Sequence, residues 1–145
     1  MKNEKSRKPV LKVLLVTAAV IALTAQSAFA FSKDKDFTKA NVDSNTFNAV
    51  SGTTTTKNSS NTPQVKLENI YKANGDDSNY KIVLFKVNSG NKQATSKSSM
   101  PVEKGTLENL ILTSAYKKEG VSLTLHAMGN DPALDCQITG NFNPA

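Results

Sequence analysis

From Val65 to the C-terminus, apolar side chains recur at every second position, and this spacing constrains the fold more than any other feature of the chain. A period of two puts alternate side chains on opposite faces of a strand, whereas a helix needs a period of about 3.6. Val65, Leu67 and Tyr71 share one parity, with Lys66, Glu68 and Lys72 on the other. Val121, Leu123 and Leu125 alternate with Ser122, Thr124 and His126. Cys136, Ile138, Gly140 and Phe142 alternate with Asp135, Gln137, Thr139 and Asn141. Each of these is a half-buried strand with one wet face.

The remaining segments fit the same class. Asn74-Gly75-Asp76-Asp77 is a turn signal, and the continuous apolar run Tyr80 to Val87 reads as a central strand buried on both faces. Ser98 to Val102 contains Pro101, which lacks a donor and confines it to an edge. Thr106 to Tyr116 fits either a helix ending at Gly120 or a strand over Leu110 to Thr113; the neighbouring strands favour the strand. Six or seven short strands with regular turn signals predict an all-β fold, a small antiparallel β-sandwich or meander.

The N-terminus has a different character. Lys2, Lys5, Arg7, Lys8 and Lys12 precede an apolar run from Val13 to Ala25, which ends at Ala28-Phe29-Ala30, a small-x-small processing site. The run is shorter than the ~20 residues of a membrane-spanning helix, and polar residues follow at once. Residues 1–30 therefore read as a signal peptide cleaved after Ala30, which makes the product secreted, or periplasmic if the host has an outer membrane. No stable membrane anchor is expected. Residues 31–45, rich in Lys, Asp, Asn and Ser, read as a flexible polar arm. The β-domain is expected over residues 46–145, with an edge strand over 46–56 and a loop over 57–63.

Charge and cysteine content narrow the function. The leader carries five of the eighteen basic residues and one of the twelve acids, leaving thirteen against eleven and a net charge near +2. The remaining cations are lysines scattered among acids, a pattern that gives no stripe for a nucleic-acid backbone. Cys136 is the single cysteine, so the exported domain is disulfide-free and held together by packing.

The strand pattern resembles that of a family of small exported proteins of unknown function from Gram-positive bacteria. The matching residues are Val65 and Leu67, Gly105, Ala115-Tyr116, Val121, Leu123 and Ala127, then Ile138, Gly140 and Phe142. The resemblance spans about Thr46 to Ala145 and implies a fold and a bacterial, extracytoplasmic address, but no activity.

A search for chemistry assigns no catalytic, cofactor-binding or metal-ligating residue. His126 and Cys136 are separated by strand parity, so they form no nucleophile-base pair. Ser-x-x-Lys pairs occur at Ser32/Lys35, Ser78/Lys81, Ser89/Lys92 and Ser114/Lys117, none of which opens a helix or has a Lys-Thr-Gly partner. Asn74, Asp76 and Ser78 begin like a calcium loop, but Asn79 and Phe85 stand where such a loop needs Gly and Glu; a β-hairpin turn accounts for them. Tyr71, Tyr80 and Tyr116 are the tyrosines, with no Trp, and Tyr71 is expected to pack inward on the apolar face of its strand.

The expected function is that of a non-enzymatic domain acting by surface contact with a cell-wall polymer or protein, with strand addition at the edges of Val65 to Tyr71 or Ser98 to Val102. A secreted antagonistic peptide is the alternative, and a small hydrolase the third reading.

Overall fold

The computed structural model describes residues 34–133 and 135–145; the leader reading of residues 1–30 lies outside them. The described chain forms two antiparallel sheets packed as a small β-sandwich. One sheet has four strands in the order β1 (Lys35–Val42), β10 (Cys136–Asn143), β4 (Gln64–Lys72) and β8 (Leu107–Asn109). The other has six. Its main path runs β2 (Asn48–Ala49), β9 (Ser122–Gly129), β5 (Ile82–Ser89) and β6 (Lys92–Gln93), with β3 (Thr55–Thr56) also on β9 and β7 (Met100–Glu103) also on β5.

The core lies between the sheets. Val65, Leu67, Ile70, Ile138 and Phe142 enter it from the four-stranded sheet, and Val83, Phe85, Val87, Leu123 and Leu125 from the six-stranded one. Each is fully buried and contributes about 1.5–3 kcal/mol through removal of apolar surface from water. The rings of Phe37 and Phe85 meet across the interior with centroids 6.5 Å apart.

Two bulges flank β10 at one level. Phe37 pairs with Gly140 and Ala40 with Ile138, so Thr38 and Lys39 together oppose Thr139. On the other side Leu67 pairs with Gly140 and Asn69 with Thr139, leaving Glu68 unpaired. A bulge inserts one residue and reverses the facing of everything beyond it. Lys39 takes φ +48°, a left-handed conformation uncommon outside glycine. Gly140 makes the close approach achievable: a Cβ there would strike the Lys66 carbonyl and lie 2.7 Å from Phe37 Cζ.

The structure corrects several sequence expectations. Residues 35–42 of the expected flexible arm are strand β1, anchored by Phe37 (2% exposed) and Val42 (3%). Strand β5 is central but alternates: Val83, Phe85 and Val87 face the core, while Ile82, Leu84 and Lys86 are only half-buried on the outer face. Asn74 to Asp77 turns the chain back along the end of β4, with Asp77 bridged antiparallel to Tyr71, but does not pair β4 with β5, which belongs to the other sheet. It makes a local reversal, with Gly75 N donating to Lys72 O and Ser78 N to Ile70 O. Within 106–116 the strand is Leu107–Asn109, not Leu110 to Thr113; Leu112 makes a single bridge to Thr95, and Ser114–Tyr116 is a 3-10 turn. Residues 46–56 supply two-residue strands, β2 and β3, which pair with β9. The segment Val65 to Tyr71 is covered on both sides, by β10 along one and on the other by β8 at Gln64 to Lys66, by Gly105 N donating to Leu67 O and by Ser78 N donating to Ile70 O, whereas β7 pairs with β5 alone.

Within the 57–63 loop, Lys57 is 1% exposed. Its ammonium donates to the carbonyls of Asn61 and Pro144, the latter at 3.3 Å, and so ties the loop to the end of β10. Burial pushes its pKa below the usual 10.5.

Candidate functional site

The residues that drew attention in the sequence do not converge. His126 stands on the outer face of the six-stranded sheet, opposite Lys86 and Ala49. Burial holds its pKa below 6.5, a hydrogen bond with the Phe47 backbone opposes that shift, and the Lys86 charge adds to it. Cys136 opens β10 on the inner face of the other sheet and is 3% exposed. The thickness of the six-stranded sheet separates the face that carries His126 from the interior that Cys136 faces. Burial, with Asp135 alongside, pushes the thiol pKa up to about 11, which suppresses the thiolate a nucleophile requires.

Of the Ser-x-x-Lys pairs, only Ser89 and Lys92 stand as direct cross-strand partners among the described residues. Ser78 accepts a hydrogen bond from Tyr80 N at 3.2 Å, Ser89 and Lys92 face each other across the hairpin closed at Gly90, and Ser114 starts the 3-10 turn. Ser32 lies outside the described residues. Asn74 and Asp76 bond each other, Asn74 Nδ2 to Asp76 Oδ2 at 2.8 Å and Asp76 N to Asn74 Oδ1 at 3.1 Å. Tyr80 is 38% exposed, and Tyr116 packs against the core.

Tyr71 is where the structure departs most usefully from the sequence. The unpaired Glu68 shifts the parity of β4, so Ile70 turns inward and Tyr71 outward. The ring is half-buried on the outer face of the four-stranded sheet, with the Lys39 ammonium 5.3 Å from its centroid. It belongs to a set of cross-strand rows. Asn41, Gln137 and Tyr71 make the first row, and Lys39, Thr139 and Asn69 the second. Asp36, Asn141, Lys66 and Leu107 make the third, and Asn143, Gln64 and Asn109 the fourth.

Seven of these side chains are carboxamides, and several are locked to a neighbouring strand. Asn141 Nδ2 donates to Asp36 Oδ1 at 2.8 Å, Gln137 Nε2 to Asn41 Oδ1 at 3.2 Å, and Gln64 Nε2 to Asn109 Oδ1 at 3.0 Å. The Lys39 amide donates to Thr139 Oγ1 at 3.2 Å. Each carboxamide offers two donors and a two-lone-pair acceptor in one plane, so one such bond leaves capacity directed at solvent. Neighbouring strands lie about 4.8 Å apart, so the rows form a close-spaced array of donors and acceptors.

A cleft of about 340 Å³ opens at the end of the first row, lined by Asn41, Asp43, Asp135 and Cys136 among others. Its carboxylates are spent on the chain itself. Asp43 Oδ1 accepts from Asn45 N at 2.7 Å and Thr46 N at 3.1 Å, and Asp135 Oδ1 from Ser44 N at 2.9 Å. They shape the loop after β1.

Comparison with known protein families, curated proteins and solved structures gave no match. The candidate site therefore rests on its own geometry. The sequence carried part of the signal, since Gln137, Thr139 and Asn141 share the wet face of the last strand. Their neighbours across the sheet depend on strand register, which sequence spacing does not supply.

Proposed function

We propose that this protein is an exported, non-enzymatic β-sandwich domain that acts by contact, presenting the outer face of its four-stranded sheet to a cell-wall polymer or a partner protein. The observation that carries the reading is the set of seven carboxamides, one threonine and one tyrosine in four adjacent rows. Side chains held by cross-strand hydrogen bonds lose less conformational freedom on binding than free ones, so the face is prepared for recognition. Its hydrogen-bonding groups are neutral for the most part and carry no nucleophile-base pair, which favours binding over turnover. Export is supported by the basic, apolar and small-x-small succession of residues 1–30.

Co-sedimentation of the leaderless protein with wall sacculi of its host, and crosslinking to proteins in its culture medium, test the contact reading. The double variant Gln137→Ala, Asn141→Ala should lose binding, and Thr124→Ala on the other sheet should keep it. Equal binding by both variants, or no retention by either wall or protein, would refute the reading. Intact-mass measurement of secreted protein should give a chain beginning at Phe31; retention of residues 1–30 would refute cleaved export.

A further inference from the structure

Resting on that contact reading, we infer that the face binds a neutral, hydroxyl-rich polysaccharide, read by the carboxamide rows and by stacking on Tyr71 once Lys39 leaves its ring. Charge is the first argument. The rows and their bulges carry Asp36 and Glu68 against Lys39 and Lys66, Asp77 adds an acid where it bridges Tyr71 at the end of the first row, and Lys66 and Glu68 pair at 3.6 Å. A face with no excess of cations exerts little pull on a polyanion or an anionic membrane, whose binding relies on uncompensated cations.

Composition is the second argument. Leu107, 58% exposed at the rim, is the one large aliphatic side chain in the rows among the described residues. A protein partner of ordinary kind is met by a buried apolar or aromatic centre, which these rows lack apart from Tyr71. Hydroxyl-rich chains instead offer closely spaced groups that both donate and accept. Carboxamides meet both roles from one plane: among the described residues, the Asn41 amide nitrogen and the Gln137 amide oxygen have no protein partner and lie beside Tyr71 in the same row.

Tyr71 supplies the apolar contact. A tyrosine combines a flat apolar body with a polar tip, which suits the C–H face of a sugar ring. The Lys39 ammonium shares that ring at 5.3 Å, a contact of the kind worth about 0.5–1 kcal/mol at exposed sites, so a sugar displaces it at small cost. Lys39 is set there by the bulge, where its φ of +48° turns it out of the strand alternation. It acts as a cover on the stacking surface, and its charge contributes no affinity.

Binding of the intact leaderless chain to dextran, mannan, a mixed-linkage β-glucan, cellulose and chitin, with heparin and polyphosphate as polyanions and sacculi as the wall control, tests this. Retention of at least one neutral polysaccharide is expected, insensitive to added salt. Tyr71→Ala and Gln137→Ala should each weaken it by about tenfold or more, a difference of about 1.4 kcal/mol. Lys39→Asn, which tolerates the left-handed backbone and uncovers the Tyr71 ring, should tighten it, and Thr124→Ala on the other sheet should leave it unchanged. Urea midpoints close to the parent's establish that the variants are folded. Salt-sensitive binding to polyanions alone, lost in Lys39→Asn, would overturn the inference, as would polysaccharide binding indifferent to Tyr71→Ala and Gln137→Ala. Face-dependent retention by sacculi or a protein with none by any neutral polysaccharide would overturn this inference while leaving the contact reading intact. Retention by nothing would overturn both.

Discussion

The thiol of Cys136 is 3% exposed and its pKa is pushed up to about 11, first by burial and then by the Asp135 charge. In the unfolded chain it ionises from about 9.0, so stability from this group is complete below that pH and is lost as pH rises toward 11. Thiol reagent should label the folded protein slowly and the denatured protein rapidly; fast labelling in buffer would place Cys136 at the surface. Lys57 has the opposite sign. Its folded pKa lies below 10.5, so the unfolded chain holds the proton more tightly and stability rises with pH between the folded value and 10.5. Replacing Lys57 with Met should remove that alkaline gain, which urea titrations at a series of pH values would detect as a changed slope against the parent. Gly140 makes the third residue-level case. An added methyl meets the Lys66 backbone and the Phe37 ring at 2.7 Å, neither of which can yield without moving a strand. Gly140→Ala should therefore cost about 1–3 kcal/mol or more, read as a lowered urea midpoint.

At the level of the element, alternation was legible wherever a strand ran without interruption. Leu123, Leu125 and Ala127 in β9, and Cys136, Ile138, Gly140 and Phe142 in β10, face inward as their spacing demands. It failed at the bulges. Phe37 and Val42 are both buried in β1 but differ in parity, because Thr38 and Lys39 share one partner position, and a polar segment with two apolar residues out of phase shows no period. The same device in β4 sends Tyr71 outward. The carboxamide rows were hidden for a further reason: Asp36 and Asn141 meet across 105 positions, and Asn41 and Gln137 across 96. For β5, an apolar run looked buried on both faces, yet Ile82 and Leu84 lie on a face only partly covered. This difference is measurable. Phe85→Ala, which empties space beside Phe37, should cost about 3–5 kcal/mol, whereas Leu84→Ala should cost about 1 kcal/mol, since less of its surface is withdrawn from water. Equal costs would mean that the outer face of β5 is covered as fully as the inner one.

For residues 34–145 as a whole, which cluster as one compact unit, the question is whether two sheets unfold as one. Three contacts say that they do. Phe37 of one sheet meets Phe85 of the other in the core, Gly129 N at the end of β9 donates to Asp43 O beyond β1 at 2.9 Å, and Lys57 joins the loop after β3 to Pro144 beyond β10. Neither sheet can separate without exposing the apolar face of the other, and no disulfide holds either one closed, Cys136 being free. A chain of this size with a shared core is expected to unfold in a single two-state step. Each sheet carries its own reporter: accessibility of the Cys136 thiol for the four-stranded sheet, and the proton resonances of the His126 ring for the six-stranded one. Both should report the same urea midpoint, and Phe85→Ala should lower the two together by the same amount. If His126 changed environment at a distinctly lower urea concentration than the one exposing Cys136, the sheets would be separate cooperative units, and the Phe37–Phe85 contact would not be what couples them.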